Sequence, residues 1–133
     1  MGIKKYQDRI IYQIYPKSFR DSNGDGIGDL RGIIGKLEYL KDLGVNTIWL
    51  NPIFVSPQVD NGYDVSNYYA LDEKMGTLHD FDEFVETAHS LGLDVILDFV
   101  MNHTSDKHPW FKDAIANERS LYRDYYLLSL IHI

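Results

Sequence analysis

Cysteine is absent from the 133 residues, which removes disulfides, thiolate-zinc sites and cysteine nucleophiles at once. Clustered basic charge is also missing: no run of Lys or Arg exceeds a pair such as Lys4-Lys5, and the formal net charge is −7. No surface of this kind concentrates phosphate backbones, so nucleic acid is not an expected partner. Long hydrophobic runs are lacking, and the basic residues Lys4, Lys5 and Arg9 are not followed by the apolar stretch of a signal peptide. The expectation is a cytoplasmic chain with no membrane partner. His79, His89 and His108 show neither the His-Glu-x-x-His spacing of a zinc protease nor a compact group with His103.

What is present suits a globular chain able to bury a core, with 44% hydrophobic and 25% charged residues. Aromatic residues make up 14%, ten of them Tyr. Sugar rings stack their C–H faces on aromatic planes, although cores use the same side chains.

Ile10 to Ile14 is a short apolar run closed by Pro16, which predicts a strand buried on both faces. Leu30, Ile33, Ile34, Leu37, Leu40 and Leu43 recur at helical spacing between Asp29, a candidate N-cap, and Gly44, so one amphipathic helix is expected there. Val45 to Leu50 predicts the second strand, followed by a long loop from Asn51 to about Gly76. Phe81, Phe84, Val85, Ala88 and Leu91 predict a second helix closed by Gly92, and Val95 to Val100 a third buried strand. Strands alternating with amphipathic helices imply an α/β fold with a parallel sheet, closed as a barrel or open and doubly wound. A dinucleotide-binding sheet would carry Gly-x-Gly-x-x-Gly after its first strand. Here that loop runs from Asp21 to Asp29 and is studded with carboxylates that would repel a pyrophosphate. In both architectures the functional groups lie at the carboxyl ends of the strands.

In that first loop Asp21, Asn23 and Asp25 alternate with small residues, Gly26 permits a sharp turn, Ile27 offers a carbonyl and Asp29 follows. Such spacing supplies the hard oxygen ligands that Ca2+ or Mg2+ requires. A solvated polar turn has the same composition. An EF-hand is the nearer competitor, but its twelfth position needs a bidentate Glu and here holds Gly32. The reading is a structural cation site.

Two further segments carry chemistry. Asp60-Asn61-Gly62-Tyr63-Asp64 sets carboxylates around an aromatic, which suits a pyranose through paired hydroxyls and a stacking face. An Asn-Gly turn with incidental acids accounts for it equally well. Asp98-Phe99-Val100-Met101-Asn102-His103 places polar groups at the exit of the third strand, with His103 able to bond a sugar hydroxyl. A satisfied polar cap on the core is the alternative. Asn102-His103-Thr104 also spells a glycosylation sequon, read as incidental at a cytoplasmic strand end.

Together and in this order, Ile11 to Phe19, Asp21 to Asp29, Asp60 to Asp64 and Asp98 to Ser105 resemble the α-amylase superfamily, specifically its α-glucosidase branch. The resemblance runs from about Arg9 to Tyr126 and implies the N-terminal part, about three βα units, of a TIM (β/α)8 barrel. It implies that residues 1–102 belong to the catalytic barrel and 103–127 begin a small B domain. By resemblance, Asp60, Tyr63 and His103 would contact the nonreducing glucose, Asp98 and Asn102 would shape the site, and Asp21, Asn23, Asp25, Ile27 and Asp29 would hold Ca2+ or Mg2+.

Enzymes of this family hydrolyse α-glucosidic bonds with retention, using an Asp nucleophile and a Glu acid/base. Both come from later strands, so the resemblance assigns no catalytic residue here. The implied partner is a small α-glucoside, and the loops 55–65 and 76–82 look most like trehalose-6-phosphate hydrolases, with oligo-1,6-glucosidases close behind. A noncatalytic family member with a binding or assembly role is the alternative of another class. Residues 128–133 depart from the family pattern. Leu-Ser-Leu-Ile-His-Ile is what a transposon adapter encodes in frame, so this tail is expected to be non-native and the chain a truncated piece.

Overall fold

A computed structural model describes residues 5–129. Of the expected tail, 130–133 lie outside the described residues. The regular elements are β1 (Ile11–Ile14), α1 (Pro16–Phe19), α2 (Leu30–Ile34), α3 (Leu37–Asp42), β2 (Thr47–Leu50), β3 (Phe54–Val55), β4 (Asn67–Leu71), α4 (Leu78–Ser90), β5 (Asp94–Leu97) and α5 (Pro109–Ala116). They group into two compact units, one of residues up to Ile53 with Leu71–Phe99, the other of Phe54–Ala70 with the residues from Val100 onward.

In the first unit, β1, β2 and β5 form a parallel sheet in that order. The ladder sets Ile11 opposite Thr47 and Thr47 opposite Asp94, and ends with Ile14, Leu50 and Leu97 in line. One half of a Rossmann sheet shares this order, so the carboxylate-rich loop after β1, not the topology, separates the two architectures. Burial on both faces holds for β2, at the centre, and not for β1 or β5. Those two each pair on one side among the described residues, which leaves Ile11 43% and Ile96 37% exposed.

The expected single helix is two: α2 ends at Gly35, and Lys36 leaves the helical conformation with φ −119° and ψ 1° before α3 begins. Gly32 and Gly35 each cost about 1 kcal/mol of helix propensity relative to Ala. The apolar spacing continues in phase across the break, so Leu30, Ile33, Leu37 and Leu40 are all fully buried and periodicity alone could not show it. Phe84 and Ala88 of α4 meet them, together with Ile14, Ile48 and Leu50 from the sheet. Helix α4 starts three residues before Phe81 because Thr77 and Asp80 form a capping box, with Asp80 Oδ2 accepting the Thr77 N–H at 2.7 Å. Asp80 also pairs with Arg31 of α2 at 2.7 Å. Gly28 and Gly32 let the chain after β1 fold tightly on α1: a Cβ on Gly28 would lie 2.1 Å from the Pro16 carbonyl oxygen.

The segment expected as loop between Asn51 and Gly76 contains a second, two-stranded sheet of β3 and β4. Its strands, two and five residues long, are too short to show a period. The second unit has a largely aromatic interior, in which Tyr68 lies between Phe54, at 6.2 Å, and His108, at 5.8 Å. Trp110 stacks on Tyr122 at 5.5 Å, and Phe111 meets Tyr126 edge-on. The Ser105 N–H donates to the Val65 carbonyl at 2.9 Å, joining the two stretches of this unit.

Candidate functional site

The loop leaving β1 is built from Asx turns. Asp21 Oδ1 accepts the amides of Asn23 (2.9 Å) and Gly24 (2.7 Å), and its Oδ2 accepts that of Gly26 (2.7 Å). The same pattern repeats one step on, with Asn23 Oδ1 taking the Asp25 amide and Asp25 Oδ1 the Ile27 amide. The amides of Gly26 and Gly24 hold the Asp21 carboxyl below the usual range. Asp29 is buried and caps α2: Oδ1 accepts the Gly32 amide at 2.7 Å, Oδ2 the amide and hydroxyl of Ser22.

All of these are hard oxygen donors, and each carboxylate oxygen keeps lone-pair capacity beyond its amide bonds, so the donor set fits Ca2+ or Mg2+ in kind. The loop acids are nevertheless turned onto amides. Among the described residues, three His or carboxylate ligand atoms come within 4.8 Å of one another at His79, Asp80 and Glu83, not in this loop. In that other group Arg31 already reaches Asp80 at 2.7 Å and Glu83 at 3.6 Å, offsetting one of their two negative charges.

The sugar-binding candidates lie in the second unit. Asn61 and Gly62 take φ of 55° and 96°, and the Tyr63 N–H returns to the Asp60 carbonyl at 3.0 Å. Positive φ at both central positions is the type I′ requirement that Asn-Gly meets with least strain. The turn therefore sets Asp60, exposed, and Tyr63, half-buried, at the two ends of one tight bend. Asp64 organises it from beneath, a role not assigned from the sequence. Its buried carboxylate accepts from the Ser56 hydroxyl (2.8 Å) and from the amides of Val59 (2.9 Å) and Asp60 (3.0 Å). Burial pushes this carboxyl up, but the bonds from Ser56, Asp60 and Val59 together outweigh it and hold it low. The signal was in view, since a short acid just after an Asn-Gly turn is placed to collect turn amides.

His103 comes to the same turn. Its Nε2 lies 3.1 Å from the Tyr63 carbonyl oxygen, and its Nδ1 lies 3.1 Å from Asn102 Nδ2. A carbonyl only accepts, so Nε2 carries the proton, and Nδ1 is left to accept from the Asn102 amide. Tyr63, Asn102 and His103 are thus brought together, with Asp60 across the bend from Tyr63. Asp98 belongs to the first unit, half-buried just past β5, its backbone N–H bonded to the Leu50 carbonyl at 3.1 Å. An exposed imidazole bonded to a turn that carries an exposed carboxylate and a half-buried phenol offers donors, acceptors and a flat face, the groups a polyol ring engages.

Residues 13–131 match the family described as alpha amylase, catalytic domain. The chain belongs to the α-amylase family. Among its relatives, a probable oligo-1,6-glucosidase 2 of Bacillus subtilis is 55% identical over 91% of this chain. The trehalose-6-phosphate hydrolase of Escherichia coli is 59% identical over 92%. A mutant of the Bacillus licheniformis trehalose-6-phosphate hydrolase, solved in complex with PNG, superposes with a TM-score of 0.87 at 55% identity, over 90% of this chain and 21% of that one. The chain spans 22% of the length of the two curated relatives. The α/β fold described above is thus part of the α-amylase family's TIM-barrel architecture.

Proposed function

We propose that the whole protein hydrolyses α-glucosidic bonds of short oligosaccharides with retention of configuration, in the cytoplasm, and that this chain supplies part of its sugar site. The observation that carries the reading is the meeting of Tyr63, Asn102 and His103 on the type I′ turn that also presents Asp60. In this reading Asp60 and His103 bind hydroxyls of the nonreducing glucose and Tyr63 stacks on it, while Asp98 shapes the strand exit. The Asp nucleophile and Glu acid/base, about 5 Å apart in retaining enzymes, come from outside these residues. Ca2+ or Mg2+ in the 21–29 loop is part of the proposal, supported by an alternation of oxygen donors with no Lys or Arg among them. Its work would be structural, pinning the loop after β1.

Trehalose 6-phosphate is the proposed substrate, on the strength of the 59% identity to a hydrolase of that name. Expressing the complete gene and comparing kcat/KM on trehalose 6-phosphate and isomaltose tests both levels of the reading. Preference for isomaltose would move the protein to the oligo-1,6-glucosidases. No turnover of any α-glucoside would make it a noncatalytic member of the family.

A further inference from the structure

We propose that Tyr68 is a positioning residue for the sugar site, acting through His103; the proposal rests on the reading of that site given above. The Tyr68 hydroxyl lies 2.7 Å from the Val100 carbonyl oxygen and 3.0 Å from the His103 carbonyl oxygen. Two acceptors three residues apart thus converge on one phenol, which closes residues 100–103 into a bend. A phenol has a single proton to donate. Val100 holds the shorter bond, and the His103 carbonyl is held close by sharing it.

Nothing lets that hydroxyl wander. Tyr68 stands on β4, and its ring lies between Phe54 and His108, which come from separate stretches of the unit. Burial, and next the neighbouring Tyr126 phenol, push the Tyr68 hydroxyl above its ordinary range, so it remains a donor at any physiological pH. The His103 main chain is thereby tied to β4, and its ring is held at Nε2 by the Tyr63 carbonyl and at Nδ1 by Asn102. Without the Tyr68 tether the ring would depend on those two bonds alone, on a residue that is otherwise exposed. The hydroxyl therefore helps fix where the His103 ring stands, while the Tyr63 carbonyl and Asn102 set its tautomer.

A double-mutant cycle in the enzyme expressed from the complete gene tests this, with Tyr68→Phe, His103→Ala and the pair assayed on the preferred α-glucoside. Tyr68→Phe is expected to lower kcat/KM about tenfold, the kinetic equivalent of one hydrogen bond, and to change it less than about twofold when His103 is already Ala. Equal losses in both backgrounds, or no loss in either, would overturn the proposal while leaving the sugar site standing. A His103→Ala enzyme with unchanged kcat/KM would overturn the sugar-site reading and this proposal with it. Nitrogen NMR of the wild-type enzyme with labelled histidine supplies a readout that does not need the variant to fold. The neutral His103 is expected as the Nε2-protonated tautomer, and the Nδ1-protonated form would refute the ring placement on Tyr63 and Asn102 through which Tyr68 is proposed to act, and the proposal with it.

Discussion

Arg9 Nη1 donates to Asp94 Oδ2 at 2.8 Å and to the Thr47 hydroxyl at 3.0 Å, so a single guanidinium joins the amino-terminal ends of all three strands of the parallel sheet. Asn46 adds to this end, its Oδ1 accepting the Ile10 amide at 3.0 Å. The pair is mostly covered, with 21% and 27% of the two side chains exposed, so it is screened less than a surface ion pair. Replacing Asp94 by Ala leaves the guanidinium without its charged partner and is expected to cost about 1–3 kcal/mol, read as a fall in the midpoint of urea unfolding of the intact enzyme. An unchanged midpoint would reduce the pair to an incidental contact.

Asp64 predicts a pH dependence. Its folded carboxyl titrates below the ordinary carboxylate range, so its contribution is complete above that range and is lost as pH falls through the depressed value. Asp64→Ala should loosen the Asp60–Tyr63 turn already at neutral pH, and limited proteolysis within residues 56–64 is the measure. Equal cleavage rates in both proteins at pH 7 would show that Ser56, Val59 and Asp60 do not need the carboxylate.

His108 acts in the same direction, nearer neutral pH. Its buried ring takes the Trp110 amide on Nδ1 at 3.1 Å, capping α5, and burial holds its pKa below the ordinary imidazole value. A protonated Nδ1 could no longer accept. With the folded pKa depressed, the unfolded chain binds the proton first, so stability falls as pH drops from about 6.5 through the folded value. Replacing His108 by Asn, which caps without titrating in this range, should flatten the dependence of melting temperature on pH between the two.

For the cation loop, Asp21→Ala or Asp25→Ala in the complete enzyme should lower the melting temperature, and a chelator should reproduce the loss in the wild type but add nothing in the variants. Metal analysis of the purified enzyme provides an independent check. A wild-type melting curve indifferent to chelator, with no metal copurifying, removes the cation from the picture.

In the same enzyme, His103→Ala and Asp60→Ala should each lose about 2–4 kcal/mol of transition-state stabilisation, the scale of losing a charged or buried hydrogen bond to substrate. The 133-residue chain alone, which by this reading holds neither catalytic carboxylate, should not turn over p-nitrophenyl α-glucoside. Any turnover by it would falsify the assignment of the nucleophile and acid/base to residues outside it.

Local spacing was enough to place β1, β2 and α4, because each carries its own apolar pattern and its own stop at Pro16, Asn51-Pro52 or Gly92; β5, with no such stop, was found but ends at Leu97 and not at Val100. It was also enough to name the residues of the proposed sugar site, since Asn-Gly with flanking acids and Asp-x-x-x-Asn-His are contiguous patterns. The break at Gly35-Lys36 escaped because the buried leucines and isoleucines keep helical phase on both sides of it. The β3–β4 pair escaped because strands of two and five residues are too short for a period to be detected. Asp64 takes its role from near neighbours, the Ser56 hydroxyl and the amides of Val59 and Asp60, whereas Tyr68 draws its own from two carbonyls 32 and 35 residues along the chain that only folding brings near. Hydrogen bonds to backbone leave no trace in the identity of the residue that accepts or donates them. The side chains proposed to touch a sugar could therefore be named from their order in the chain, while the phenol that tethers His103 became visible only when the chain returned on itself.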